Sequence, residues 1–172
     1  MAATTTLPKP FSSSSSSSSY QPPDDYEYDV FLSFRGKDTG KNFTDHLYRA
    51  LKDAGIHTFI DEEIRRGEDR YVETLRAIEG SRILLIILSK NYASSLWCLN
   101  ELVKILECQR RSNQTVVPIF YDVSPSDVRN QGVTFEHKFR HLLNERKVSS
   151  YRAALQEIAN TSGWNLESTA DG

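Results

Sequence analysis

The sequence predicts an α/β fold: a parallel sheet covered on both faces by helices, in one domain. Three observations predict it. Runs rich in β-formers alternate with segments of helical periodicity from Tyr28 onward, the pattern of parallel strands joined by crossover helices. One run, Ile83-Leu-Leu-Ile-Ile-Leu88, is unbroken apolar sequence, as expected for a strand buried on both faces. The chain of 172 residues has room for one such unit, since its first part carries an uninterrupted serine run from Ser12 to Ser19 and too little apolar surface to offset the entropy of ordering. The expected organisation is a disordered Ser-rich leader over 1–27, a folded domain over 28–166 and a flexible end over 167–172.

In chain order, residues 28–34 form the first expected strand. A helix follows over 41–54, with Phe43, Leu47, Ala50, Leu51 and Ala54 recurring at helical spacing and Gly55 placed to end it. Residues 56–60 are the second strand and 61–67 a charged loop. A helix over 69–79 is expected to turn Val72, Leu75 and Ile78 to the core, before the third strand at 83–88. Residues 96–111 make a long helix with Leu99, Leu102, Val103 and Leu106 on one stripe. Residues 115–121 are the fourth strand, where Pro118 points to an edge or a bulge. A turn at 124–129, helices at 135–145 and 151–160, and a short strand at 163–166 complete the reading.

For five such strands the right-handed crossover rule favours the flavodoxin-like order 2-1-3-4-5. Its switch point lies at the carboxyl ends of strands 1 and 3, so the expected pocket is built by the loops after Phe34 and after Leu88. In the first loop Arg35 offers either a cation for a phosphate beside a helix N-terminus or the partner of a local carboxylate. In the second, Ser94 or Ser95 caps the long helix. Glu101 then falls roughly 150° from the leucine stripe, off the core and leaning back toward the crevice. Trp97 lies one turn earlier. The pair reads either as a crevice carboxylate with an aromatic wall, or as a helix-dipole glutamate with a core tryptophan.

Other chemistries fail on spacing. Gly36 and Gly40 enclose three residues where a phosphate-cradling P-loop needs four, and Asn42 replaces its hydroxyl. Ser89 stands where a receiver domain needs an acceptor aspartate. His137, His141 and Glu145 share one face of the expected helix, but no second cluster completes a metal site, and none is expected. A net charge of -2 gives no bulk drive toward nucleic acid or anionic lipid. No apolar run approaches the ~18 residues of a membrane span, so no membrane partner is expected. The leader lacks the apolar core of a secretory signal and resembles a plastid transit peptide only in being Ser-rich and acid-poor. Cys98 and Cys108 would stand roughly 15 Å apart along one helix, too far for a disulfide, and are expected as the reduced thiols of a cytosolic protein.

The chain resembles plant TIR (Toll/interleukin-1 receptor and resistance protein) domains. The resemblance is carried by Tyr28-Asp-Val-Phe-Leu-Ser-Phe-Arg-Gly36, Gly55-Ile-His-Thr-Phe-Ile-Asp61, Arg66-Gly67 and Ala77-Ile-Glu-Gly-Ser-Arg82. It continues in Ser89-Lys-Asn-Tyr-Ala-Ser-Ser-Leu-Trp-Cys-Leu-Asn-Glu-Leu102 and Val117-Pro-Ile-Phe-Tyr-Asp-Val-Ser-Pro-Ser-Asp-Val-Arg129. The leader is similar to those of tobacco virus-resistance-type members. The resemblance implies the flavodoxin-like fold and an enzyme of plant immune signalling that cleaves NAD+ or NADP+ as substrate, with no cofactor, and releases nucleotide second messengers. Glu101 is then the catalytic residue, and Phe34, Arg35, Gly36, Ser94, Trp97 and Cys98 belong to the substrate site.

The resemblance also implies activity only in assemblies of TIR domains, tetrameric or filamentous. The loop after strand 2, with Asp61, Ile64, Arg65, Arg66 and Gly67, would reach a neighbour, and Asp45 with His46 would form a second self-association surface. Full-length resistance proteins are further implied partners, the cytoplasm or nucleus the implied location, and nucleic acid an alternative substrate for 2′,3′-cyclic nucleotide synthesis. A non-catalytic adaptor that only nucleates TIR assemblies is the competing expectation. The chain departs from the family pattern in several places. Lys37 and Gly40 replace Glu and Arg, and Arg70 and Thr74 stand where Ile and Leu are usual. The resemblance implies one more helix after Leu166, for which the six residues that follow are too few, and the expectation is either a TIR-only protein or a truncated form.

Overall fold

The computed structural model describes residues 25–61 and 68–167. The Ser-rich leader up to residue 24, the loop residues Ile64, Arg65, Arg66 and Gly67, and the end from residue 168 lie outside the described residues. Five strands, β1 (Tyr28–Phe34), β2 (Thr58–Ile60), β3 (Ser81–Leu88), β4 (Thr115–Tyr121) and β5 (Trp164–Leu166), form one sheet of order β2-β1-β3-β4-β5. Every pairing is parallel, so the expected topology is the observed one.

Strand alternation divides the core in two. Val30, Leu32 and Phe34 of β1 face the side covered by α2 (Phe43–Asp53) through Phe43, Leu47 and Leu51. Phe31, with Leu84, Ile86 and Leu88 of β3, faces the other side, packed by α3 (Glu68–Glu79), α4 (Leu96–Arg111), α5 (Pro125–Phe139) and α6 (Glu145–Ala159). Ser33 falls on this second face, fully buried among apolar neighbours, a hydroxyl that must find a partner. The end of α2 is a Schellman motif. Gly55 takes φ 77°, its N–H reaches Lys52 O at 3.0 Å and Ile56 N–H reaches Leu51 O at 2.9 Å.

Several expected elements are corrected. The loop after β1 carries one helical turn, α1 (Gly36–Thr39). The turn expected at 124–129 and the helix expected at 135–145 are one helix, α5, ending at Phe139. Ser124 and Asp127 close a capping box, with Asp127 N–H donating to Ser124 Oγ at 3.1 Å and Ser124 N–H donating to the Asp127 carboxylate at 2.7 Å, and Pro125 starts the first turn. The last helix accordingly begins six residues earlier than expected, at Glu145, capped by Asn144. With α5 ended at Phe139, His141 lies beyond the helix and the shared His137–His141–Glu145 face does not exist.

On α3, Val72 is 42% exposed rather than core-facing, while Thr74, Ala77 and Ile78 are buried. Pro118 lies neither on an edge strand nor in a bulge. β4 keeps unbroken register with β3 through Pro118, and its pairing with β5 begins one residue later, at Ile119. Cys98 and Cys108 are both buried free thiols. No described helix is long and apolar enough to cross a membrane, and no group of three or more His, Cys, Asp or Glu among the described residues could hold a metal.

Candidate active site at the carboxyl ends of β1 and β3

β1 and α4 bring Ser33 and Glu101 together. Ser95 caps α4, its Oγ accepting from Cys98 N–H at 3.3 Å, and so sets the phase that turns Glu101 toward the end of β1. Ser33 Oγ donates to Glu101 Oε2 at 2.5 Å. That spends the single hydroxyl proton of Ser33, so Tyr92, whose OH lies 2.8 Å from Ser33 Oγ, must be the donor in that contact. Complete burial, and secondarily the nearby Cys98 and Glu101, push the Tyr92 phenol well above its ordinary value, which keeps it protonated. Tyr92 OH also donates to Cys98 O at 3.1 Å, so its one proton is shared between Ser33 Oγ and that carbonyl. On the other oxygen, Glu101 Oε1 accepts from Trp97 Nε1–H at 3.0 Å. Glu101 is only 3% exposed. It was expected off the core and at the crevice; it sits at the crevice but beneath Trp97, because the end of β1 packs on the helix face that the leucine stripe leaves open.

The same indole N–H reaches Asp61 Oδ2 at 2.8 Å. Asp61 directly follows β2, and its buried carboxylate also accepts from Thr74 Oγ1 at 3.1 Å. Expected on a segment that reaches a neighbour, Asp61 turns its side chain inward. Burial pushes its carboxyl above the ordinary 3.8, against the pull of Thr74, Trp97 and Arg70. The unfolded chain therefore releases this proton first. Stability that Asp61 leaves intact below pH 3.8 is lost as pH rises through the folded value, and stays lost above it. Asp61→Asn escapes that loss, so its Tm relative to wild type should rise from about pH 4 toward neutrality. A difference flat across that range in thermal scans would contradict the shift.

In front of Trp97 runs a groove of about 430 Å³, lined by Arg35, Lys37, Ser94, Trp97, Asn100, Lys138 and Phe139, with Ser95 and Leu96 beside them. Its lining holds three cations and no carboxylate. Arg35 Nε stands 3.5 Å from Asp38 Oδ1 without a hydrogen bond. Asp38 is engaged elsewhere, accepting from Ser89 Oγ at 2.5 Å and Asn91 N–H at 3.0 Å. Arg35 thus stands near a local carboxylate, one of the two arrangements expected for it, and also lines the groove. Lys138 Nζ donates to Ser94 O at 3.1 Å. A larger cleft of about 580 Å³ beyond β4 and β5 is lined by Asp122, Asp127 and Glu167, a lining unsuited to phosphates.

Of the residues expected at the substrate site, Arg35, Ser94 and Trp97 line the groove. Gly36 opens α1 beside it. Phe34 turns its ring into the core on the α2 side, and its carbonyl accepts from the buried Cys98 Sγ at 3.4 Å. Asp45 and His46 lie on α2, against the opposite face of the sheet from α4. Asp45 pairs with Arg49 at 3.1 Å, and His46 is exposed. Ser33, Tyr92, Lys138 and Phe139 were not singled out from the sequence. Only Ser33 carried a local signal, a hydroxyl inside an apolar strand.

The all-parallel order β2-β1-β3-β4-β5, with a buried glutamate at its switch point, defines a doubly wound domain of the flavodoxin-like class with its candidate site at the strand ends. Within that class the chain belongs to the TIR domain family, whose model matches residues 27–171. It is similar to plant disease resistance proteins. It is 55% identical over 141 residues to Disease resistance protein RPV1 of Vitis rotundifolia, covering 81% of this chain and 10% of that protein. It is 50% identical over 144 residues to TMV resistance protein N of Nicotiana glutinosa, covering 80% of this chain and 13% of that one. Among solved structures, the TIR domains of the activated Roq1 resistosome directly recognizing the pathogen effector XopQ match with TM-score 0.74 and 49% identity, over 84% of this chain and 91% of that one. The chain thus spans 10% and 13% of the length of these two curated relatives.

Proposed function

We propose that this TIR domain is an NAD+ glycohydrolase of plant immune signalling, active when several copies associate. The observation that carries the reading is Glu101, held at both oxygens by Ser33 and Trp97 at the switch point, beside a groove lined by Arg35, Lys37 and Lys138. Those cations suit a pyrophosphate, and Trp97 and Phe139 offer faces for stacking. Cleavage breaks the bond between ribose C1′ and the nicotinamide nitrogen, and the electron pair leaves with nicotinamide as a neutral ring. Positive charge develops on the ribose, where a carboxylate stabilises it. Water then adds at C1′ and loses a proton, giving ADP-ribose. Because the leaving group departs neutral, no general acid is required, and one glutamate suffices where an ordinary glycosidase uses two carboxylates. NADP+ fits the same chemistry.

Self-association belongs to the proposal because the related Roq1 TIR domains are found within a resistosome. A second reading, a non-catalytic adaptor, has its own observation: Glu101 is 3% exposed in the single protomer. Nicotinamide release measured against protein concentration, with a crowding agent, separates the two. The enzyme should show turnover rising more steeply than linearly with concentration. Assembled protein with no turnover at any concentration would leave the adaptor.

A further inference from the structure

Glu101 can meet a ribose only if something above it moves, and the group above it is Trp97, whose single N–H is shared between Glu101 Oε1 and Asp61 Oδ2. We infer that Asp61 is a positioning residue that holds the Trp97 indole across Glu101, so that substrate reaches that carboxylate only when Asp61 releases the indole; this rests on the reading of Glu101 as the catalytic group. Asp61 is itself fastened to α3. Thr74, fully buried, donates to the same Oδ2 at 3.1 Å, and Arg70 Nε stands 3.5 Å from Oδ1. Tyr71 meets the Trp97 ring edge-on, with centroids 5.5 Å apart. α3 therefore grips the indole twice, once through Asp61 and once directly. Arg70 and Thr74 are also the two positions at which this chain departs from the family's apolar pattern, so the fastening is made by its own residues.

The held arrangement is loose. Asp61 Oδ1 and Arg70 Nε face each other at 3.5 Å as a buried ion pair, and among the described residues neither completes a hydrogen bond. A buried pair without good hydrogen-bond geometry repays little of its desolvation, which narrows the gap to a released arrangement. A site whose competent state is a minor population binds more weakly by that fraction. Releasing the indole should therefore lower KM and leave kcat nearly unchanged, whereas simple structural damage would lower kcat.

The test uses the full chain in a Trp164→Phe background. Trp164 is 68% exposed and the protein has two tryptophans, so Trp97 becomes the only tryptophan, excited selectively at wavelengths beyond tyrosine absorption. In dilute protein, Asp61→Ala should raise acrylamide quenching of Trp97 about threefold; in concentrated, crowded protein, where turnover is expected, it should lower KM for NAD+ by a similar factor, with kcat within about twofold of its parent. Asp61→Asn keeps an acceptor for the indole and should behave like its parent in both readouts. Thr74→Val, which removes one fastening at nearly constant volume, should shift both in the same direction by less, and serves if the alanine variant does not fold. Quenching unchanged in Asp61→Ala and Thr74→Val overturns the inference, as does raised quenching with unchanged KM. If the parent and every variant fail to turn over NAD+, the catalytic reading of Glu101 falls, and the quenching arm still decides whether Asp61 holds the indole.

Discussion

Glu101→Gln should lower kcat/KM for NAD+ by at least about 10³-fold while the domain stays folded, because removing a charge that acts mainly in the transition state costs rate rather than binding. Glutamine is the informative replacement. Its amide oxygen can still accept from Trp97 Nε1, 3.0 Å from the present Oε1, and its amide nitrogen can face Ser33 Oγ in place of Oε2. Shape and most hydrogen bonding survive, and only the negative charge is lost. Alanine at the same position confounds the two effects. It removes one of the two acceptors of the Trp97 indole N–H and the acceptor of Ser33 Oγ, which keep Asp61 Oδ2 and Tyr92 OH as partners, and it leaves a cavity in a buried site, which costs stability. The loss of turnover in Glu101→Ala would then mix chemistry with unfolding, so circular dichroism and a thermal scan must accompany any comparison. Nicotinamide release by folded Glu101→Gln at the wild-type rate would remove Glu101 from the mechanism and, with it, the enzyme reading.

Much of this site is legible in the sequence. The unbroken apolar run of β3 and the alternation of elements dictate a parallel order, and that order puts the crevice at the carboxyl ends of β1 and β3, where Arg35 and Trp97 line the groove and Glu101 lies beneath Trp97. What the periodicity hid was depth. A helical wheel puts Glu101 off the leucine stripe, yet α4 also lies against the end of β1, and that second contact buries the glutamate under Trp97. Thr74 is hidden for a related reason. Polar residues are ordinarily solvated, and only the contact with Asp61 and Arg70 O explains a buried threonine on α3.

α5 escapes the periodicity because its inward face is interrupted. Val128 and Phe135 are buried seven residues apart, and between them stands Gln131. That glutamine accepts from Ala93 N–H and donates to Ser89 O, each at 2.9 Å, which ties the helix to the loop after β3. A polar side chain satisfying loop backbone groups leaves no apolar periodicity to read. Ser94, Lys138 and Phe139 meet in the groove for the same reason: this tie brings α5 against the loop that follows β3.

Gly163→Ala should cost about 3 kcal/mol or more, the upper end of the range for overfilled sites, and lower Tm by roughly 10 °C for a domain of this size. Space, not backbone conformation, is the reason. A Cβ at Gly163 would stand 2.2 Å from Pro118 O and 2.6 Å from Pro118 Cγ. The first of those is a carbonyl within β4, which has no rotamer to escape into. Pro118 and Gly163 thus form one device. The proline ring is tolerated because β5 has not yet begun to pair there, and the missing side chain at Gly163 lets the chain approach before Ile119 meets Trp164. Pushing the two backbones apart would break the three-residue ladder of β5 and the contact from Asp122 N–H to Leu166 O at 2.9 Å. The damage should stay at that edge, since β4 separates β5 from β3 and β1. Turnover per folded protomer at low temperature should therefore match wild type while Tm falls. A Tm within about 1 °C of wild type, well under the shift expected per kcal/mol, would show that the edge yields freely. A selective loss of kcat would show instead that strain at β5 reaches the switch point.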